Sequence, residues 1–488
     1  MTRATLLLSS ALALLPVAPA FAQDGKAVTI VLGEDVDLVE PCMATRSNIG
    51  RIIMENVSET LTQYDVRSGK GVIPRLAESW EDKGNGTWRF HLRQGVTFSD
   101  GSAFDAADVK ASYERATSDK LTCETPRYFG DTKLSFAVVD EHTIDITAAP
   151  AQPILPLLMS LVTIVPSETP VEFVREPIGT GPYELASWEP GQSIVLERRA
   201  DYWGTAPAVA AAMVTQGEAD LAPSISAVDA TDPATDVSYL NSETLYLRLD
   251  SAIAPISDKR VREALNMAID REAFIGTLLP EGVVSAVAMV PPTTLGWNPD
   301  VKQYPYDPEK AKELLAAAKA DGVPVDTTLY LIGRSNLFPG VVEVVEALQQ
   351  MMQEVGFTVE VQMVEVAQQE ELYSKPYKEG RPPQMLAVQH DNSRGDPVFS
   401  MFFKYASDGR QSGIADPKVD AMIAEASAAT GEARTKDWQE LFAYLHDEVV
   451  PDVLLFHMVS FARVGDRIAF TPTIATNSQL ELADIAFK

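Results

Sequence analysis

The sequence predicts an α/β protein of two or three domains, on three observations. Short strand-forming runs alternate with amphipathic helical runs from one end to the other. The 488 residues are ample for more than one hydrophobic core. No low-complexity stretch, heptad pattern or fixed-period repeat interrupts the alternation.

The first 22 residues read as a secretory leader. Arg3 supplies the positive start, Leu6 to Leu15 the apolar stretch, and Ala20-Phe21-Ala22 the small-x-small cleavage pattern. That stretch is too short to span a bilayer, and no later run approaches about 18 apolar residues. No cysteine stands at the cleavage point, so no lipid anchor is expected there. Cleavage near Ala22 leaves 466 of the 488 residues, in a periplasm-like compartment, and loss of Arg3 takes the formal charge from −29 to −30. Such acidity argues against nucleic acid or an anionic membrane as partner. Cys42 and Cys123 are the only cysteines; a disulfide between them and two buried thiols are both compatible with the sequence.

The elements follow in order. A strand is expected over Arg75 to Trp80, then a turn at Gly84-Asn85-Gly86, whose residues tolerate positive φ, then a second strand in the run Gly86 to Arg93. Phe98-Ser99-Asp100-Gly101 makes a tight turn. Asp105 stands where an N-cap accepts the free amides of a helix, and Asp108 adds negative charge to the first turn. Ile178-Gly179-Thr180-Gly181-Pro182-Tyr183 is a Gly/Pro turn into a strand. A strand over Ser193 to Arg198 and the group Asp201-Tyr202-Trp203-Gly204 come next, the aromatics reading as packing. Thr205 to Gln216, largely alanine, has helical rather than strand character. Leu245 to Asp250 alternates as a strand, and Ser257 or Asp258 caps the helix after it. Asp307-Pro308 opens a helix with Ala311, Leu314, Leu315 and Ala318 as its apolar stripe. A helix from Val341 to about Val355 ends at Gly356, and the strand Phe357 to Val364 follows. Trp438 to Val449 is expected as helix and Val453 to Val464 as mostly strand.

Taken in this order, the runs Arg75 to Trp80, Gly86 to Arg93, Phe98 to Gly101, Ile178 to Tyr183, Asp201 to Gly204 and Gly217-Glu218-Ala219-Asp220 closely resemble the extracytoplasmic solute-binding protein family 5. These are the peptide/nickel-type substrate-binding proteins of ABC importers. The resemblance implies a bilobal periplasmic-binding-protein-like α/β fold of the class II type, with an extra inserted domain. It places a discontinuous domain I at 23–65, 175–253 and 459–488, the inserted domain II at 66–174, and domain III at 254–458. In that family a full strand precedes the Gly-Glu-x-Asp group; the alanine-rich stretch here implies that it is shortened or lost.

The resemblance also implies a receptor and not an enzyme: a monomer without cofactor, delivering a small ligand to a membrane permease complex by hinge closure. No G-x-S-x-G elbow, phosphate-cradling Gly loop or H-E-x-x-H pattern is present, and the five histidines show no metal-ligand spacing. The chain breaks from strand into a polar turn at His390-Asp391-Asn392-Ser393-Arg394, an expensive place to bury polarity unless something satisfies it. Asp396 is expected to cap the short helix that follows. Dipeptide-binding members carry an Asp for the peptide ammonium where Ser393 stands here. Asp391, two residues earlier on the same face of an extended strand, is its candidate replacement. Arg334 matches the position that presents an Arg to the peptide carboxylate, and its fork suits that group. Asp35, Met43, Thr45, Arg46 and Asn48 fall on the segment that lines the cleft in relatives, and Tyr128 and Phe129 are candidate stacking residues. A short peptide or amino-acid-like zwitterion is the expected ligand. A sugar held by Asn48, Asn392, Tyr128 and Phe129, or a nickel complex leaning on His390, are the alternatives; a secreted hydrolase is a rival of another class.

Overall fold

Two long strands, Asp236–Leu249 and Asp452–Val464, run antiparallel through the middle of the molecule and belong to both of its large lobes. They are seen in a computed structural model that describes residues 26–32, 36, 38–42, 51–65, 71–123, 125–129, 132–205, 207–209, 211–215, 219–477 and 479–488. The leader expected over Met1 to Ala22 lies outside the described residues.

On one side of this pair the sheet continues through Gln384–Asp391, Leu329–Arg334 and Val359–Val364; on the other it continues through Leu221–Ile225, Ala27–Ile30, Ala211–Thr215, Ser193–Arg198 and Tyr183–Glu189. The fold is thus bilobal α/β with a mixed sheet. Helices Lys259–Met267, Pro308–Ala320 and Val341–Glu354 cover one face of the first side, where Leu245, Leu247, Leu249, Leu329 and Leu331 are buried. Asp258 and Asp307 cap the first two of these helices, and Ala311, Leu315 and Ala318 are buried on the second.

The smaller antiparallel sheet, in the order Ala77–Gly84, Thr87–Leu92, Thr143–Ala149, Lys133–Asp140, stands apart as an inserted arm. Its first hairpin turns at Gly84, Asn85 and Gly86, all with positive φ. Asp105 accepts from Ala107 N at 2.7 Å, and Asp108 reaches back to Asp105 N at 2.9 Å, a reciprocal capping box for the helix Ala106–Ala116. Cys42 and Cys123 are joined by a disulfide with Cα atoms 5.1 Å apart, which ties the arm to the N-terminal segment.

The Gly/Pro turn before Tyr183 is a close approach of two backbones. A Cβ on Gly179 would lie 2.0 Å from Val57 O, and one on Gly181 2.5 Å from Asn56 O. Tyr202 and Trp203 both donate to Glu59, at 3.0 and 2.8 Å, which gives them a packing role.

One expectation is corrected. Residues 211–215 are a strand, not helix, paired in parallel with Ala27–Ile30 and antiparallel with Ser193–Arg198. The core strand is therefore present. Alanine's helical preference is worth only tenths of a kcal/mol per residue against strand formers, and two ready-made neighbouring edges outweigh it.

Candidate ligand-binding site

The two long strands do not match residue for residue where they cross between lobes. Between the pairs Leu240–Val459 and Thr244–His457, one strand has three residues, Asn241, Ser242 and Glu243, and the other only Met458. A bulge of this kind re-aims side chains. Here it brings Ser242 and Glu243 beside the end of Gln384–Asp391, with Glu243 directly across from Asp391. Strands Gln384–Asp391 and Leu329–Arg334 are parallel neighbours and end along the same edge of the sheet. Asp391 finishes one, Arg334 the other.

Asp391 is held on every side. Its Oδ1 accepts from Ser242 Oγ at 2.6 Å and Ser393 N at 2.8 Å. Its Oδ2 accepts from Ser393 Oγ at 2.9 Å and from Arg51 Nη1 at 3.2 Å. Arg51 opens the helix Arg51–Asn56 in the other lobe, so this ion pair spans the gap between lobes. Burial pushes the Asp391 carboxyl up, but Arg51 and the hydroxyl and amide donors outweigh it and hold it below the usual carboxylate range. Glu243 has the opposite environment. It is half-buried, no described residue donates to its carboxyl, and burial followed by the charge of Asp391 pushes it up to about 8. No contact joins Arg334 to Asp391 among the described residues; the Arg334 Nε is buried without an acceptor.

Other predicted residues are spread around this edge. Asn392 is buried, its amide donating to Ser242 O at 3.0 Å and Met289 O at 3.1 Å, so its N–H donors are spent inside the protein. His390 is buried with Nε2 unpartnered. Burial, then the positive charge of Lys404, depresses its pKa to about 3 and keeps it neutral. Asp396 caps the turn Pro397–Phe399 through Val398 N at 2.9 Å and pairs with buried Arg434 at 2.7 Å.

Arg394 lies over the Tyr128 ring, 5.8 Å from its centroid, and Tyr128 meets Phe399 edge-on at 5.5 Å. Phe129 instead packs against Tyr113 inside the arm, a core residue and not a cleft wall. Asp35, Met43, Thr45, Arg46 and Asn48 lie outside the described residues.

A cavity of about 170 Å³ opens past the Asp391 end of this edge, at Ser393 and Arg394, where both lobes and the arm meet; Arg334, Asp391 and Glu243 do not themselves line it. Ser393, Arg394 and Phe399 line it from one lobe, Arg75, Ser160 and Thr163 from the arm, and Glu55, Tyr64 and Glu481 from the other lobe. It is polar and amphoteric. Glu55, half-buried, is pushed above its ordinary pKa by burial, against the pull of Arg394. Among the described residues no group of three or more His, Cys, Asp or Glu is placed to hold a metal ion, and no helix is long and apolar enough to cross a membrane.

Arg51, Ser242 and Glu243 were not among the residues expected from sequence. A charged residue directly before the apolar alternation of Leu245, Leu247 and Leu249 was the available signal for Glu243. Nothing local marks Arg51, whose partner is 340 residues away.

The family described as bacterial extracellular solute-binding proteins, family 5 middle, matches residues 71–410. The dipeptide-binding protein of Escherichia coli is 27% identical over 449 residues, which cover 81% of this chain and 83% of the relative. The heme-binding protein A of Haemophilus influenzae is 28% identical over 448 residues, 81% of each. In three dimensions the structure of HbpA2 from Haemophilus parasuis superposes with a TM-score of 0.79 at 20% identity, covering 95% of this chain and 100% of the other.

Proposed function

We propose that this chain, which belongs to the bacterial extracellular solute-binding proteins of family 5, is the periplasmic receptor of an ABC importer for a short peptide or amino-acid-like zwitterion. It works without covalent chemistry. The ligand enters between the lobes, favours the closed arrangement and is handed to the membrane permease in that form. Its differential affinity for the closed state is the only driving force the mechanism needs.

The observation that carries the ligand class is the edge where Arg334 and Asp391 end two parallel neighbouring strands. The region outside the carboxyl ends of such strands is where open α/β sheets place ligands. A buried guanidinium nitrogen without an acceptor lies at one strand end, and a pair of carboxyls, Asp391 and Glu243, at the other. A neutral sugar would leave the Arg334 guanidinium without a counter-charge and the Glu243 carboxyl without a cationic partner; a zwitterion supplies a carboxylate to the one and an ammonium to the other. The match to a dipeptide-binding relative, over 81% of this chain and 83% of the relative, supports the same reading.

Native mass spectrometry of the gently purified protein, before and after mild denaturation, tests it. A stoichiometric peptide or amino acid released on denaturation is the expected result, and a released sugar or metal chelate overturns the ligand class. As a second arm, Arg334→Met should weaken alanyl-alanine binding at least tenfold while leaving the unfolding midpoint near that of the parent chain. Unchanged affinity would remove Arg334 from the site.

A further inference from the structure

The two carboxyls that face each other across the strand pair cannot do the same job. Asp391 has its four acceptor positions filled by Ser242, Arg51 and both donors of Ser393. An incoming ammonium would have to displace one of these donors. Glu243 accepts from none of the described residues.

Its placement is also hard to explain as packing. Leu245, Leu247 and Leu249 share one buried face of the strand, and Glu243 is the next position on it. An aliphatic residue there would simply extend the core. A carboxyl half-withdrawn from water with no hydrogen-bond donor costs free energy that nothing in the described structure returns.

We propose that Glu243, and not Asp391, receives the cationic group of the ligand, and that it releases a proton to solvent as it does so. The inference rests on the zwitterion reading above. The charged groups around Glu243 are Asp391 on the neighbouring strand, Lys404 on the helix Met401–Tyr405, Arg51 on the helix Arg51–Asn56, and Arg334. Arg51 is engaged by Asp391, so burial and the Asp391 charge prevail and keep the Glu243 carboxyl protonated near neutral pH. An ammonium brought against it reverses that balance. The O–H bond breaks, the proton passes to buffer, and a carboxylate–ammonium pair remains. Asp391 meanwhile keeps Arg51, so the tie between the lobes persists in the loaded state.

The test uses the mature, dialysed protein with alanyl-alanine, tri-alanine and L-lysine as probes. Calorimetry at pH 7 in buffers of different ionisation enthalpy counts protons released on binding. With a carboxyl titrating at about 8, about nine-tenths of a proton is expected per probe bound. Affinity should tighten about tenfold from pH 6 to pH 7, a range in which the probe's amino group stays charged. Glu243→Gln, which keeps the shape of the protonated acid, should bind with no proton release and no such pH dependence. A probe that binds the parent chain without releasing a proton overturns the inference and leaves the zwitterion reading intact. If none of the three probes binds, the zwitterion reading itself falls and this inference with it.

Discussion

Around Phe90, in the inserted arm, burial is dry. Phe90, Phe98, Phe104, Ile144 and Ile146 pack on one another, and Arg89 and Asp145 pair bidentately at the rim; the arm's buried charges, Asp108 and Arg115, sit on its helix, where Arg115 is paired with Glu40 at 2.7 Å. Around Asn392, at the edge of the large sheet, equally deep burial is spent on polar groups: His390, His457, Asn392, Lys404, Arg434 and Asp452 are all inside. Dry packing returns free energy for every group buried. Polar burial returns it only where each group finds a partner, and two histidine nitrogens here find none among the described residues. The contrast teaches where the molecule was free to optimise stability and where another requirement overrode it.

The largest effects should come from breaking each kind of burial in its own region. Phe90→Ala opens a cavity in the arm and should cost about 3–5 kcal/mol in urea unfolding, without changing ligand affinity. Arg434→Met leaves Asp396 buried without its ion-pair partner and should cost a comparable 3–5 kcal/mol, roughly. Unlike the first, it should also weaken ligand binding, because Asp396 caps the turn that carries Phe399 into the cavity wall. If Phe90→Ala changed affinity as much as Arg434→Met, the arm would not be the independent scaffold this comparison makes it. Replacing Cys42 and Cys123 by serine should cost about 2–4 kcal/mol through the 81-residue separation the bond closes, read from the same unfolding curves.

How much of this was legible in advance follows the same division. Gly84-Asn85-Gly86 and the Asp105–Asp108 capping box were readable because their physics is local, a turn conformation and a cap within three residues. Ala211–Thr215 was misread because its strand state is imposed by neighbours from residues 27–30 and 193–198. At the edge of the large sheet, the turn after His390 announced itself by its density of polar residues. Which of them would be spent inside the protein could not be read, since Arg51, Ser242 and Met289 lie more than a hundred positions away.

The pH dependence of stability sharpens the contrast at an intermediate scale. Burial raises Glu243 to about 8, helped by Asp391, and raises Asp452 to about 7. Both hold protons in the fold that the unfolded chain would release, so stability is lost as pH rises from the ordinary carboxylate range through 7 to 8. Burial lowers His390 and His457 to about 3. The unfolded chain takes up protons there first, so stability is lost as pH falls below about 6.5. Between pH 6.5 and 8 the acids act alone, and the melting midpoint should decline. Glu243→Gln should flatten that decline above pH 7; parallel curves for the two proteins would mean that Glu243 is ionised in the fold.

The smallest effect concerns a pair that looks, by distance, as good as any at the cleft. Lys110 and Glu114 lie one turn apart on the arm helix, 3.0 Å between charged atoms, with 45% and 58% of their side chains exposed. Arg434 and Asp396 are only 0.3 Å closer but almost wholly withdrawn from water. In water the Coulomb gain is nearly cancelled by hydration lost and by the ordering of two long side chains. A double-mutant cycle on Lys110→Ala and Glu114→Ala should therefore give a coupling of only about 0.3–0.5 kcal/mol, falling further in added salt. The same cycle on Arg434 and Asp396 should give several times more and respond little to salt, because solvent ions do not reach it. Equal couplings would mean that distance, and not burial, sets what a charge pair is worth in this protein, and the division between the dry packing around Phe90 and the polar cleft edge would lose its energetic basis.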